Sequence, residues 1–354
     1  MMRILGWHRA VLIGTLCVVL FNAHASDPGT EALQNMPERG SVAWKDWVFD
    51  YHIGNTNMEG LTITNVSYKA RKVLAQASLP VVRVKYKGDA SQIGSGCGPF
   101  MDKFFSFNLL GLLTPAVSTG TIRPFTGKPG LSKVVRLATR ASDGTETLGL
   151  YVYAEIGGYL LWHGWNLSTD GRIDPVLYSS GWSCPDGLVK NDHRHHPYWR
   201  IIFRIDDGDN DLWELRAPAS QKPIARKVTE EVDLSRREGE ELAFIVSSKS
   251  SARHALVRFP TAVNGQIDRP GPPWFGFSNK DAAVRKYKSH EDRGWDFGAK
   301  DELAYGTPKE SIGSGFNVLW LISHMGHAYV PGKDDEKNIG WHWTGPSIQL
   351  VNWE

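Results

Sequence analysis

The chain has 354 residues, and 40 Lys and Arg stand against 38 Asp and Glu, a formal net charge of +2. A balance this even gives no electrostatic footprint for nucleic acid or for an anionic membrane surface, and it excludes both as partners. The length suffices for one large core or two smaller ones, and no internal repeat or low-complexity tract divides the chain.

In chain order, Arg3 and Arg9 flank a polar start, Ala10 to Phe21 is an apolar run, and Ala23-His24-Ala25 supplies small residues before Ser26. This pattern predicts a secretory signal peptide over 1–25, too short to remain as an anchor, and a secreted or periplasmic chain over 26–354. Leu16 before Cys17 argues against a lipoprotein cut there. Cys17 leaves with the signal, so Cys97 and Cys184 remain. An oxidising compartment makes one disulfide the expectation, with two free thiols as the alternative. The 14 tryptophans would serve as carbohydrate platforms if exposed, but the simpler expectation is that they fill a wide core.

Strand signals then dominate. Runs rich in β-branched and aromatic residues recur between Gly, Pro and Asp at Leu61–Val66, Leu79–Tyr86, Leu148–Tyr153, Tyr159–Trp165, Trp199–Ile205, Ala243–Val246, Ala255–Phe259 and Phe316–Ile322. Helical periodicity is confined to short segments such as Asp281–His290. Asp206-Asp-Gly-Asp-Asn-Asp211 predicts a hairpin turn, and its acidic spacing fits no standard calcium loop. Asp268-Arg-Pro-Gly-Pro-Pro273 reads as a long surface loop, because no shift of composition follows it. The expected class is all-β, a single large β-sandwich.

The chemistry concentrates in "HRHHPYWRIIFRID", residues 193–206. On a strand, residues i and i+2 share a face about 6.5–7 Å apart, so His193 and His195 can aim at one ion while His196 points away. A third donor is needed, and "LWLISHMGHAYVPGKDDE" offers His324 or His327.

Taken together, "VAWKDWVF", "EGLTITNVSYKARKVLAQASLPVVRVKY", "HRHHPYWRIIFRIDDG" and "LWLISHMGHAYVPGKDD" resemble the catalytic domain of the copper-containing amine oxidases over most of the chain. Arg200 and the Asp206–Gly208 turn fall where that family has an arginine and an Asp-Gly turn, and counting from Trp320 lands on His327. The resemblance implies copper held by His193, His195 and His327, neutral imidazoles that suit Cu(II) better than Zn(II). It also implies a topaquinone made from Tyr159, which keeps register with Trp165 and Gly171 in "EIGGYLLWHGWNL" and the segment after it. Four neighbours depart from the family pattern: Glu155 replaces a threonine, Gly158 an asparagine, Leu160 a carboxylate and Gly164 an aspartate.

The resemblance further implies Asp102 of "GPFMDKF" as the general base, its pKa raised in an apolar pocket, with Asp89 in a Lys-Gly-Asp turn as the alternative. Tyr86 takes the place of the tyrosine that orients the quinone, with Lys85 where the family has proline. A Cys97–Cys184 disulfide would pin the Asp102 loop to the segment before the copper strand. Ile202 and Arg204 occupy the places of carboxylates in a second, calcium-type site, so no second metal is expected. The implied activity is oxidative deamination of a small primary amine by O2, giving aldehyde, ammonia and hydrogen peroxide, in a homodimer. Two rivals stand beside it: a copper-binding module without quinone catalysis, and a zinc hydrolase, for which no nearby Glu is placed as the usual motifs require.

Overall fold

The computed structural model describes residues 32–53, 60–86, 100–105, 117–124, 130–156, 159–181, 193–218, 222–237, 239–259, 262–263, 266–267, 280–288, 308–313, 315–327 and 342–354. The signal peptide over 1–25, Asp89, Cys97, Cys184 and the 268–273 loop lie outside these residues. For Tyr86, Asp102, Tyr159, His193 and His327 the backbone lies in strands and the side chains are outside the description.

Every regular element among the described residues is a strand, and two large antiparallel sheets form. With strands numbered in chain order, the first sheet runs β2 (Arg39–Trp44), β3 (Trp47–Ile53), β4 (Leu61–Tyr68), β5 (Arg71–Tyr86) and β12 (His193–Phe203). It continues through β21 (Asn317–Ile322) and β22 (Met325–His327), both on β12, to β20 (Ala282–Lys286) and β15 (Val232–Leu234).

The second sheet runs β1 (Gln34–Met36), β8 (Val134–Arg140), β9 (Glu146–Ile156), β10 (Tyr159–Ser168) and β11 (Arg172–Gly181). It continues through β24 (Ser347–Val351), β17 (His254–Arg258), β16 (Glu240–Ser248), β13 (Asn210–Pro218) and β14 (Ile224–Lys227), with β23 (His342–Thr344) also on β11. On one side the sheets are joined by β6 (Phe100–Phe105) on β5 and β7 (Val117–Arg123) on β9, which pair in parallel. A two-residue ribbon, β18 (Ala262–Val263) with β19 (Gln266–Ile267), stands apart.

Period-2 burial makes the sandwich. Strand β3 alternates Trp47, Phe49, Tyr51 and Ile53 inward with less buried residues between. The core joins Phe49, Leu61 and Val82 of the first sheet to Leu150, Trp165 and Val257 of the second. Trp47, Trp165 and Trp199 are fully buried, and no described tryptophan is exposed, so these rings are core. Strand β12 is buried on both faces, because a second cluster (Val81, Tyr198, Ile202, Val318, Trp320, Ile322) covers its outer side.

Two local expectations are corrected. The segment expected to be helical from Asp281 forms β20 between β15 and β21, where Ala282, Ala283 and Val284 are all buried. Ladder pairing in a covered sheet overrides local propensity there. The 206–211 segment turns but closes no hairpin: β12 pairs with β5, β21 and β22, and β13 with β14 and β16. Local turn chemistry fixes the reversal, not the partner. The Asp206 carboxylate is taken by Ser251 Oγ at 2.6 Å and Arg253 Nε at 2.8 Å. No helix among the described residues is long and apolar enough to cross a membrane.

Candidate metal centre

Strand β12 carries two of the three expected ligand positions and lies between two partners. His193 faces Tyr86 of β5 on one side and His327 of β22 on the other, while His195 faces Val84 and Met325. Directly opposed residues share a face with Cβ atoms about 4.5–5.5 Å apart. Positions 193, 195, 327 and 86 therefore fall on one face, the one on which Val84 and Trp199 enter the core. Asp102 pairs with Val82, another core residue, and so takes that face one strand further out.

Tyr159 belongs to the other sheet, on the β10 face shared by the core residues Leu161, Trp165 and Leu167. Leu61 N–H donates to His163 Nε2 at 2.8 Å, Trp165 Nε1–H to Leu61 O at 2.8 Å, and Tyr68 O–H to Thr169 O at 2.8 Å. Strand β10 thus runs in the direction of β4 and, through the antiparallel pairs β4–β5 and β5–β12, of β12. The Trp199 ring lies 5.9 Å from His163 and 5.8 Å from Trp165. Tyr159 precedes His163 by as many residues as His195 precedes Trp199, so both positions reach the same end of the sandwich.

The opposite face of β12 holds a different cluster. Buried His196 meets buried His324 with Nδ1 to Nδ1 at 2.7 Å. His324 Nε2 lies 3.3 Å from Asp281 Oδ1. Asp281 also accepts from the Arg236 backbone N–H at 2.6 Å and its Nε–H at 2.7 Å. Burial pushes the His196 imidazole well below its ordinary pKa, and His324, Arg194, His195 and Arg83 push the same way. Burial alone would raise the Asp281 carboxyl, but hydrogen bonds and charge from His324 and Arg236 outweigh it and hold it below the usual range. Arg200 is buried on this face too, over the Tyr287 ring at 5.8 Å. His324 is therefore engaged away from His193 and His195, and His327 shares their face.

That cluster was hidden in the sequence. Asp281 sits in a segment that looks helical, and His196 and His324 read only as the unused halves of two histidine motifs. The metal fits the donor set: three imidazole positions with no carboxylate among them match Cu(II) preferences. Among the described side chains no group of three or more His, Cys, Asp or Glu could hold a metal ion, and of the three expected ligand positions only His195 has its side chain within that description.

The departures around Tyr159 have a packing cause at one position. A Cβ at Gly164 would stand 2.3 Å from the Tyr151 ring and 2.5 Å from Leu150 O. The Tyr151 ring lies across Gly164, its register partner, and its hydroxyl donates to Asn166 Oδ1 at 2.5 Å. Leu160 packs with Tyr151 and Trp162 on this outer face of the second sheet.

No protein-family model and no curated protein matches the sequence. Among solved structures, the chain is similar to a copper-containing benzylamine oxidase from Hansenula polymorpha (TM-score 0.59, 13% identity, 93% of this chain and 63% of that one). It is also similar to an amine oxidase from Aspergillus nidulans (TM-score 0.54, 16% identity, 89% and 51%). A third likeness is to a lysyl oxidase from Pichia pastoris (TM-score 0.55, 12% identity, 88% and 52%). The chain spans between 51% and 63% of the length of these proteins. At such identities the likeness is one of fold, and the chain carries the β-sandwich fold of the copper amine oxidases.

Proposed function

We propose that this protein is a copper-dependent primary-amine oxidase, with copper on His193, His195 and His327 and a topaquinone derived from Tyr159. The observation that supports it best is the register of β12, which has His195 on one inward face with positions 193, 327 and 86 and shares its end of the sandwich with Tyr159. Copper and quinone would supply the electron sink and the route to O2. The balance is R–CH2–NH2 + O2 + H2O → R–CHO + NH3 + H2O2.

The chain's own residues have separate tasks. Asp102 takes the proton from the carbon next to nitrogen, and its pairing with buried Val82 suits a carboxylate whose basicity is raised by desolvation. Tyr86, opposite His193, orients the reacting ring by a hydrogen bond. Trp165 and Trp199 close the interior behind them and keep water out. On this reading the protein works outside the cytoplasm as a homodimer, on a small primary amine.

The test is exposure of purified protein to Cu(II) in air. Uptake of copper, a visible absorption band and peroxide release on adding an amine support the proposal. Uptake of copper without band or peroxide favours a copper-binding module, the reading that the missing room for a side chain at Gly164 supports.

A further inference from the structure

Pro197 lies in the middle of β12, opposite Ser323. Ser323 N–H donates to Pro197 O at 3.3 Å, but proline has no N–H to return to the Ser323 carbonyl. The ladder stops there: β21 ends at Ile322, opposite Tyr198, and β22 begins at Met325, opposite His195. The register is the same on both sides of the break, where the backbone contributes the one bond from Ser323. His196 and His324, the next opposed positions, meet at 2.7 Å.

We propose that His324 is a positioning residue for the third-ligand strand: the buried chain His196–His324–Asp281 bridges the break made by Pro197 and holds position 327 of β22 opposite His193. Its functional meaning rests on the copper reading above.

The chain is continuous across three elements. One hydrogen lies between His196 Nδ1 and His324 Nδ1, and the far side of the His324 ring, Nε2, stands 3.3 Å from the Asp281 carboxylate. Asp281 is itself fixed, its N–H donating to Leu234 O at 2.8 Å and its carbonyl accepting from Ile322 N–H at 2.8 Å. Arg236 grips the carboxylate from the side. Among the described residues β22 pairs with β12 at Met325, Gly326 and His327, directly after the break, so what holds the chain at the break bears on its placement. None of these groups shares the face of His195, so they act on the ligand set through the backbone.

The experiment compares the purified full chain with His324→Leu, with His324→Asn, which keeps a hydrogen-bonding partner for His196, and with His324→Leu combined with Pro197→Ala. Amide hydrogen exchange at 325–327 should rise about ten-fold in His324→Leu while 61–68 is unmoved. Copper affinity should fall about ten-fold or more, with a changed Cu(II) EPR spectrum. The Asn variant should recover part of both, and so should Pro197→Ala, which restores the missing donor. Unchanged exchange at 325–327, or an equal rise at 61–68, overturns the clamp. A rise at 325–327 with unaltered copper affinity and EPR overturns the positioning role. If the native protein takes up no copper, the oxidase reading fails, and the exchange measurement still decides whether the clamp exists.

Discussion

Trp199 of β12 and Trp165 of β10 meet nearly edge-on, with ring centroids 5.8 Å apart and an interplanar angle of 73°. This contact ties the strand bearing His193 and His195 to the strand bearing Tyr159, so it fixes one half of the candidate centre against the other. Trp199→Ala should destabilise the fold by about 3–5 kcal/mol, as loss of a fully buried large ring does. Urea unfolding reads this as a lower midpoint, and a midpoint within error of the native protein's would refute it.

Ligand assignment is tested at saturating Cu(II). His193→Ala and His327→Ala should load little or no copper by elemental analysis, whereas His324→Ala should still fill. A His327→Ala protein that fills while His324→Ala does not would reverse the choice of third ligand.

Tyr159 is tested by phenylhydrazine, which traps a quinone carbonyl as a coloured adduct. After exposure to copper and air, peptide mapping should find the adduct on the peptide containing residue 159, and Tyr159→Phe should abolish it. An unmodified Tyr159 there would leave a copper-binding module.

Gly164→Asp restores the family-like residue but meets the Tyr151 ring and Leu150 O. The variant should lose about 1–3 kcal/mol or more through overpacking, with no gain in quinone formation. A thermal midpoint at or above that of the native protein would contradict the packing account.

His163 gives a pH dependence. Burial lowers its pKa from 6.5 to about 3. Above pH 6.5 both folded and unfolded forms are neutral and the group adds no slope. Between 6.5 and about 3 only the unfolded chain gains the proton, so stability falls as pH falls, by about 1.4 kcal/mol per unit at most. His163→Gln, which keeps an acceptor for Leu61 N–H, should flatten the acid limb of urea midpoints measured from pH 7 to 4. An acid limb as steep as that of the native protein would remove His163 as a cause.

Strand positions were legible in the sequence because alternation along one strand is local information: Leu61–Val66 and Trp199–Ile205 fall in or at the end of real strands. The same alternation separated His195 from His196. Partnership was not legible. Nothing between residues 206 and 211 reveals that β13 turns to β16 instead of back to β12. Nor does the Asp281 segment reveal that a strand on each side will make it a strand. Gly164 was visible as a departure, while its cause, the Tyr151 ring lying across it, belongs to a neighbouring strand.

The position of β24 sets an order of events in biogenesis. Although it comes late in the chain, it lies inside the second sheet, bonded to β11 on one side and β17 on the other. Until residue 351 has left the ribosome, β9–β10–β11 and β17–β16–β13 have no shared strand to close them into one surface. Pairings this distant in sequence form slowly and together. A nascent chain thus lacks a closed second sheet until β24 has emerged, and on the copper reading the metal would arrive after that.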